Sequence, residues 1–466
     1  MLSTILFGLT VLGFGAWVAV NHRHHTTYYR PALYIADKGA VIEVKDAGGR
    51  TKTRQETLRD LIEQRCPSLL RDFRPVWWLF SGHLQTAYSV VGDFSKIDEV
   101  EYDRTLLRTR DGGTLGLDFT PPESTRKLPE DAPIIVVLHG LTGGSHEAYV
   151  RAVVSPACRP VDDGGLGYRA IVVNFRGCAG VPVTSPQLYS AGHTEDIRAA
   201  MFYIRRRYPK APLLGLGFSL GANVLTRYVA EEGDGCRLAA ACVIACPWDL
   251  VTNSEALEGN WLHRRVYSTA LGSNLQAVVK RHAAALSTPP SHPVAQAVAP
   301  TLALQSPTLE TFDETFNRIA GGSSPPFPFP SARAYYTWAS SHTTLPRVRV
   351  PFLAIGAEDD PVVQVLPVHA GRNGYVAFAV TKGGGHLGWF ESGADGAIRR
   401  WFTRPVLEWL EAVGRDMVVR ARPGKPLREV DGFLMEVGRD DVGCKEAEGG
   451  GRVSGTEGEE GLLPGL

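Results

Sequence analysis

This sequence carries no excess charge of either sign: 49 Lys and Arg are matched by 49 Asp and Glu. It has no basic stripe, which argues against a nucleic-acid partner. The seven cysteines are odd in number and include no C-x-x-C pair, so neither a disulfide framework nor a structural zinc site is expected. None of the eight asparagines opens an N-x-S/T acceptor. These absences point to a globular part facing a reducing, cytosolic compartment. Glycine and proline, by contrast, are plentiful (50 and 31), which suits many turns rather than a helical bundle.

The first twenty residues, MLSTILFGLTVLGFGAWVAV, lack any charged side chain. About 20 apolar residues at ~1.5 Å rise cross the ~30 Å hydrocarbon core of a bilayer. No Lys or Arg precedes the run, and its end, AWVAV, is a poor cleavage site. A transmembrane anchor over 1–20 is therefore expected rather than a signal peptide. Arg23 and Arg30 beyond it favour that flank on the cytosolic side of an endomembrane such as the ER.

Residues 21–70 read as a juxtamembrane connector with helical pieces, and 71–415 as the main domain. Alternating runs around Asp111-Gly112-Gly113 predict a hairpin. From 133 onward the pattern becomes short, continuous apolar runs ending at turn residues: PIIVVLHG, YRAIVVNFRG, PLLGLGFS, LAAACVIAC, VPFLAIGA and YVAFAVTKGGG. Separated by helical stretches, such runs are the buried strands of a parallel sheet. TEDIRAAMFYIRRRYP is one such helix, with Ile197, Met201 and Ile204 at helical spacing and Thr194 as its expected cap. A Pro- and Ser-rich insertion over about 251–333 predicts a cap with helices of its own, of the kind that forms lids and acyl-chain walls. The Gly- and Glu-rich tail, 436–466, has few apolar residues and is expected to be disordered.

Chemistry enters at GFSLG, Gly217 to Gly221, between a strand and a helix. That context is what a nucleophile elbow requires. Ser219 must occupy a strained position in a sharp turn, and side chains at 217 and 221 would crowd it. A serine hydroxyl needs a base, and the base needs an orienting carboxylate. The expected chain order is Ser, acid, His. Glu358-Asp359-Asp360-Pro361 follows one strand, and Gly383-Gly384-Gly385-His386 follows the next. Asp360 is preferred over Asp359 because Pro-Val-Val follows it, although either aspartate also suits a turn or a helix cap. An oxyanion hole needs two backbone N–H groups. Leu220, after the serine, and Leu141, after His139-Gly140, are the candidates. His139 itself is read as supporting its loop. No metal or organic cofactor is needed for this chemistry.

The segments HGLTGGSHEAYVR, NFRGCAGVPV, LYSAGHTEDIRAA, GFSLGANVLTRYV, EDDPVV and GGGHLGWFE, with GHLQT inside PVWWLFSGHLQTAY (75–88), together resemble the YheT-like branch of the alpha/beta-hydrolase-domain proteins. The resemblance spans about 70–415. It implies an alpha/beta-hydrolase fold, an N-terminal membrane span and a serine carboxylic-ester hydrolase acting on lipid esters: acylglycerol, phospholipid or medium-chain fatty acyl esters. By motif position the triad falls on Ser219, Asp360 and His386. A second reading, alcohol O-acyl transfer making medium-chain fatty acid esters, uses the same residues. Some related transferases carry H-x4-D at the active histidine, whereas here Glu391 stands at that spacing. In a third reading the chain is a non-catalytic membrane scaffold, against which the intact Ser, Asp and His argue. His193 and Asp196 fit the branch pattern and are read as a helix start with a buried hydrogen bond.

Overall fold

The turn-bounded apolar runs become the parallel heart of one large sheet. The computed structural model describes residues 29–45, 53–370, 373–393, 395–419 and 424–455. Its strands, in chain order, are β1 (Ala32–Ile35), β2 (Val41–Lys45), β3 (Thr53–Thr57), β4 (Glu101–Thr109), β5 (Thr114–Thr120), β6 (Ile134–Leu138), β7 (Arg169–Asn174) and β8 (Leu213–Phe218). They continue as β9 (Ala240–Ile244), β10 (Phe352–Ala357), β11 (Val376–Thr381), β12 (Phe390–Ser392), β13 (Ile398–Arg400), β14 (Leu427–Val430), β15 (Phe433–Glu436) and β16 (Arg439–Ser454). Twelve of them form one sheet in the order β1-β11-β10-β9-β8-β6-β7-β5-β4-β16-β15-β14. Pairing is parallel from β7 through β11 and antiparallel on either side.

Every residue of β6 to β11 is buried. On β6, Ile134, Val136 and Leu138 face one apolar core, and Ile135 and Val137 face the other. Two buried faces explain a run without alternation. Each such side chain contributes roughly 1.5–3 kcal/mol of burial. The helix Glu195–Arg207 buries Ile197, Met201 and Ile204 on one of these cores. Thr194 precedes it but makes no side-chain cap; its hydroxyl donates to Glu231 instead. Glu195 and Asp196 in the first turn and three arginines in the last complement the helix dipole.

Between β9 and β10 the chain is a series of helices from Leu250 to Ala339. They lie over the carboxyl ends of the parallel strands: Leu257, Tyr267 and Leu271 pack with Val362 and Leu141, and Tyr335 and Phe327 pack against Leu220. Within this cap Asp313 is buried, with the Tyr336 hydroxyl donating to it at 2.7 Å. Burial raises its carboxyl from 3.8 to about 7. The folded chain therefore holds a proton that the unfolded chain releases between those two values, so stability falls as pH rises from 3.8 through about 7. The Asp313→Asn variant keeps an oxygen for Tyr336 and removes the charge. Its melting temperature should exceed that of the unsubstituted protein at pH 8 and differ little at pH 4.5, by thermal unfolding.

Two expectations need correction. The segment expected to be a connector is largely part of the fold: β1 pairs antiparallel with β11, and Ile35, Ile42, Val44, Leu58, Leu61 and Leu69 are buried in the core. The tail expected to be disordered instead supplies β16, which pairs with β15 and, from Cys444 to Ser454 across an irregularity at Ala447–Gly450, with β4. Ladder hydrogen bonds use backbone groups, so a strand at this position needs few apolar side chains; Val442 and Cys444 suffice to anchor it. Residues 456–466 lie outside the described residues. So does the expected anchor, 1–20; among the described residues no helix is long and apolar enough to cross a membrane.

Candidate active site

The turn between β8 and the helix Leu220–Glu232 puts Ser219 at φ 48°, ψ −119°, a conformation L-residues avoid. Its backbone is pinned by the Ser219 N–H bond to Ile244 O at 3.0 Å. Both glycines are required by space. A Cβ on Gly217 would sit 2.7 Å from Ala222 Cα, and one on Gly221 would strike the carbonyl oxygens of Leu138 and His139. Gly215, inside β8, leaves room for Leu225 and Leu238.

The structure brings Ser219, His386 and Asp360 into one hydrogen-bonded line. The Ser219 hydroxyl lies 2.8 Å from His386 Nε2, and His386 Nδ1 lies 2.8 Å from Asp360 Oδ2. All three residues are buried. A carboxylate only accepts, so Nδ1 carries the proton and Nε2 faces the hydroxyl as an acceptor. Of the two aspartates, Asp360 is the one that meets the imidazole. Asp360 Oδ1 accepts from the N–H groups of Val362 and Val363, which leaves Oδ2 for the imidazole. Asp359 accepts the Gly385 N–H at 2.9 Å and so braces the loop that carries the histidine. The turn-forming and ring-orienting roles that the sequence offered as alternatives coexist in Asp360.

Leu220 opens its helix, where N–H groups have no intrahelical acceptor. Leu141 lies in the loop after β6, close beside the serine: a Cβ on Gly140 would be 3.4 Å from Ser219 Cβ. That loop is held on both sides of Leu141. Gly140 N–H donates to the Tyr149 hydroxyl and Thr142 N–H to the Tyr189 hydroxyl, both at 2.9 Å. Ser145, farther along, donates from its hydroxyl to Asp118 and from its N–H to Asn174. His139 is fully buried and accepts the Phe175 N–H at Nε2, so Nδ1 donates to Gly140 O. Burial lowers its pKa to about 3, which keeps it neutral and structural. Asp196 binds Arg176, while His193 reaches Glu195 and Ser323; neither touches Ser219, Asp360 or His386.

Sequence reasoning gave no role to the GHLQT segment, yet it holds the histidine loop. It begins a helix, Gly82–Val91. Thr86 Oγ1 accepts the His386 N–H at 2.8 Å and donates to Gly82 O. Gln85 Oε1 accepts the Phe390 N–H at 2.7 Å, and Ser89 donates to Leu387 O. Arg400 donates to the same Leu387 carbonyl and to the Ser89 hydroxyl. The loop needs this support: Gly384, Gly385, Leu387 and Trp389 all have positive φ. Removing the Thr86 acceptor leaves a buried N–H unpaired, a cost of roughly 1–3 kcal/mol. Thr86→Val should lower kcat for ester hydrolysis ~10- to 100-fold with KM within twofold, and Thr86→Ser should restore it.

A third wall comes from the cap. Tyr267 packs with Val362 and Leu141, and its hydroxyl meets His83 Nδ1 of the GHLQT helix at 2.7 Å. Burial, and then the charge of Asp360, raises its phenol pKa. Among the described residues no cluster of His, Cys, Asp or Glu is placed to hold a metal ion.

Residues 133–392 match the family described as alpha/beta hydrolase fold. The chain is 32% identical over 408 residues to a monoacylglycerol lipase of Saccharomyces cerevisiae, covering 79% of this chain and 87% of that protein. It is 28% identical to that yeast's medium-chain fatty acid ethyl ester synthase/esterase 2, over 83% of this chain and 97% of the other. With human phospholipase ABHD3 it shares 30% over 72% and 78%. On the family match and these likenesses, this chain belongs to the alpha/beta-hydrolase-domain family.

Proposed function

We propose that the protein is a serine carboxylesterase that hydrolyses lipid esters. The hydrogen-bonded line from Ser219 through His386 to Asp360 is the observation that carries this reading. His386 Nε2 takes the hydroxyl proton as Ser219 Oγ attacks the ester carbonyl, while Asp360 holds the ring and stabilises the imidazolium. The N–H groups of Leu220 and Leu141 receive the oxyanion. Collapse of the tetrahedral adduct expels the alcohol, which takes its proton from His386. Water, activated by the same imidazole, then releases the acid from the acyl-enzyme. The names of the relatives (monoacylglycerol lipase, ethyl ester synthase/esterase, phospholipase) support a lipid ester as the substrate class. The uncharged run 1–20 suits a single-pass anchor that keeps the catalytic domain on the cytosolic face of an endomembrane, near such substrates.

Acyl transfer to an alcohol is the second reading, supported by the ester synthase/esterase likeness. A panel of acylglycerol, phospholipid and medium-chain esters, assayed with and without ethanol, separates the two. Free acid should dominate with every accepted ester. Ethyl ester formed in excess of acid overturns hydrolysis as the main reaction.

A further inference from the structure

Two separated stretches of this chain leave large apolar side chains in solvent, and both adjoin the site. Trp77 is 73% exposed and Trp261 is 78% exposed. Trp78 precedes the GHLQT helix and stacks edge-on against Tyr88, and Leu262 and Val266 flank the cap residue Tyr267; all three keep exposed surface. The contact of His83 with Tyr267 and His263, ring centroids 5.7 and 5.5 Å apart, holds the two stretches side by side. The segment 261–267 therefore has two faces. Tyr267 packs inward with Leu141 and Val362, while Trp261, Leu262, Arg264, Arg265 and Val266 point to water.

We propose that this rim docks on the surface of a bilayer containing anionic lipid, and so brings membrane-borne ester toward Ser219 and the Leu141 loop on which Tyr267 packs. The proposal rests on the lipid-esterase reading above and adds a contact made by the folded domain itself. Its chemistry is that of an interfacial segment. Tryptophans and aliphatic side chains enter the headgroup boundary, and arginines remain among the phosphates. Arg264 pairs with Glu258 at 3.3 Å, with its head still largely in solvent. A second copy docked on the same face would oppose arginines to arginines. Tyr29, where the described residues begin, pairs through its backbone with Phe73, four residues before Trp77.

The test uses the full-length protein in vesicles of phosphatidylcholine and phosphatidylserine, with Trp77→Ala/Trp261→Ala and Arg264→Glu/Arg265→Glu as variants. Two substrates are compared: a water-soluble p-nitrophenyl butyrate and a long-chain acylglycerol carried in the vesicles. For both variants, hydrolysis of the vesicle-borne ester should fall ~10-fold, while the soluble ester is turned over within twofold of the unsubstituted protein. Brominated phosphatidylcholine should quench tryptophan fluorescence less in the double-alanine variant than in the unsubstituted protein. An unchanged ratio of vesicle-borne to soluble activity, with unchanged quenching, overturns the proposal. So does failure of acrylamide to reach Trp77 and Trp261 in vesicle-free protein, because residues 1–28 or a second copy would then cover the rim. Loss of all activity on the soluble ester in the unsubstituted protein refutes the esterase reading instead, and the quenching measurement still decides the docking.

Discussion

Ser219→Ala lowers kcat for p-nitrophenyl butyrate hydrolysis by ~10⁴-fold or more and abolishes labelling by a fluorophosphonate probe. The size follows from the covalent step. Without Oγ there is no acyl-enzyme, and what remains is the modest catalysis of an oxyanion pocket and bound water. The geometry adds that the variant folds. The side chain is small and bonds only to His386 Nε2, while the strained turn is set by the Ser219 N–H bond to Ile244 and by the room at Gly217 and Gly221. Alanine at φ 48° is no worse placed than serine. A melting curve that overlays that of the unsubstituted protein separates lost chemistry from lost structure. Equal labelling of the two proteins would sink the assignment of Ser219 as nucleophile.

The second large effect separates the adjacent acids. Asp360→Asn should reduce kcat by ~10⁴-fold, because an amide beside Nδ1 favours the imidazole tautomer that cannot accept the serine proton. Asp359→Asn should reduce it less than ~10-fold, since its amide oxygen still accepts the Gly385 N–H and its role is to brace the loop. Measuring kcat for both variants on the same ester decides the matter. If Asp359→Asn proves the more damaging, the orientation of His386 is controlled through its loop rather than through its ring.

The parallel strands and the line from Ser219 to His386 were legible because each leaves a local signature. A strand buried on both faces reads as an unbroken apolar run, and a nucleophile elbow demands small residues at fixed offsets. Asp360 was separable from Asp359 only by the proline after it, which reflects the turn that Val362 and Val363 close on Oδ1. What could not be read shares one cause: its partners are remote in the chain. Thr86 looks like an ordinary helical threonine until residue 386 is placed beside it. β16 was mistaken for a disordered tail because GGGRVS has little apolar content, and its backbone bonds to β4 carry no local sequence pattern. Thr194 reads as a cap because it opens a helical pattern, but Glu231, on the neighbouring helix, engages its hydroxyl.

That remoteness has a kinetic consequence. β1 is completed by β11, and β4 by β16, each from near the far end of the described chain. The first pairing cannot form until β11 has left the ribosome, and the second not until β16 has. Until then β1 and β4 lack their partners and present open edges, which invite pairing with another nascent chain. Refolding from denaturant should accordingly be slow and concentration-sensitive, since long loops must close before these ladders reward them. A chaperone that shields strand edges would raise the yield more than one that merely slows collapse.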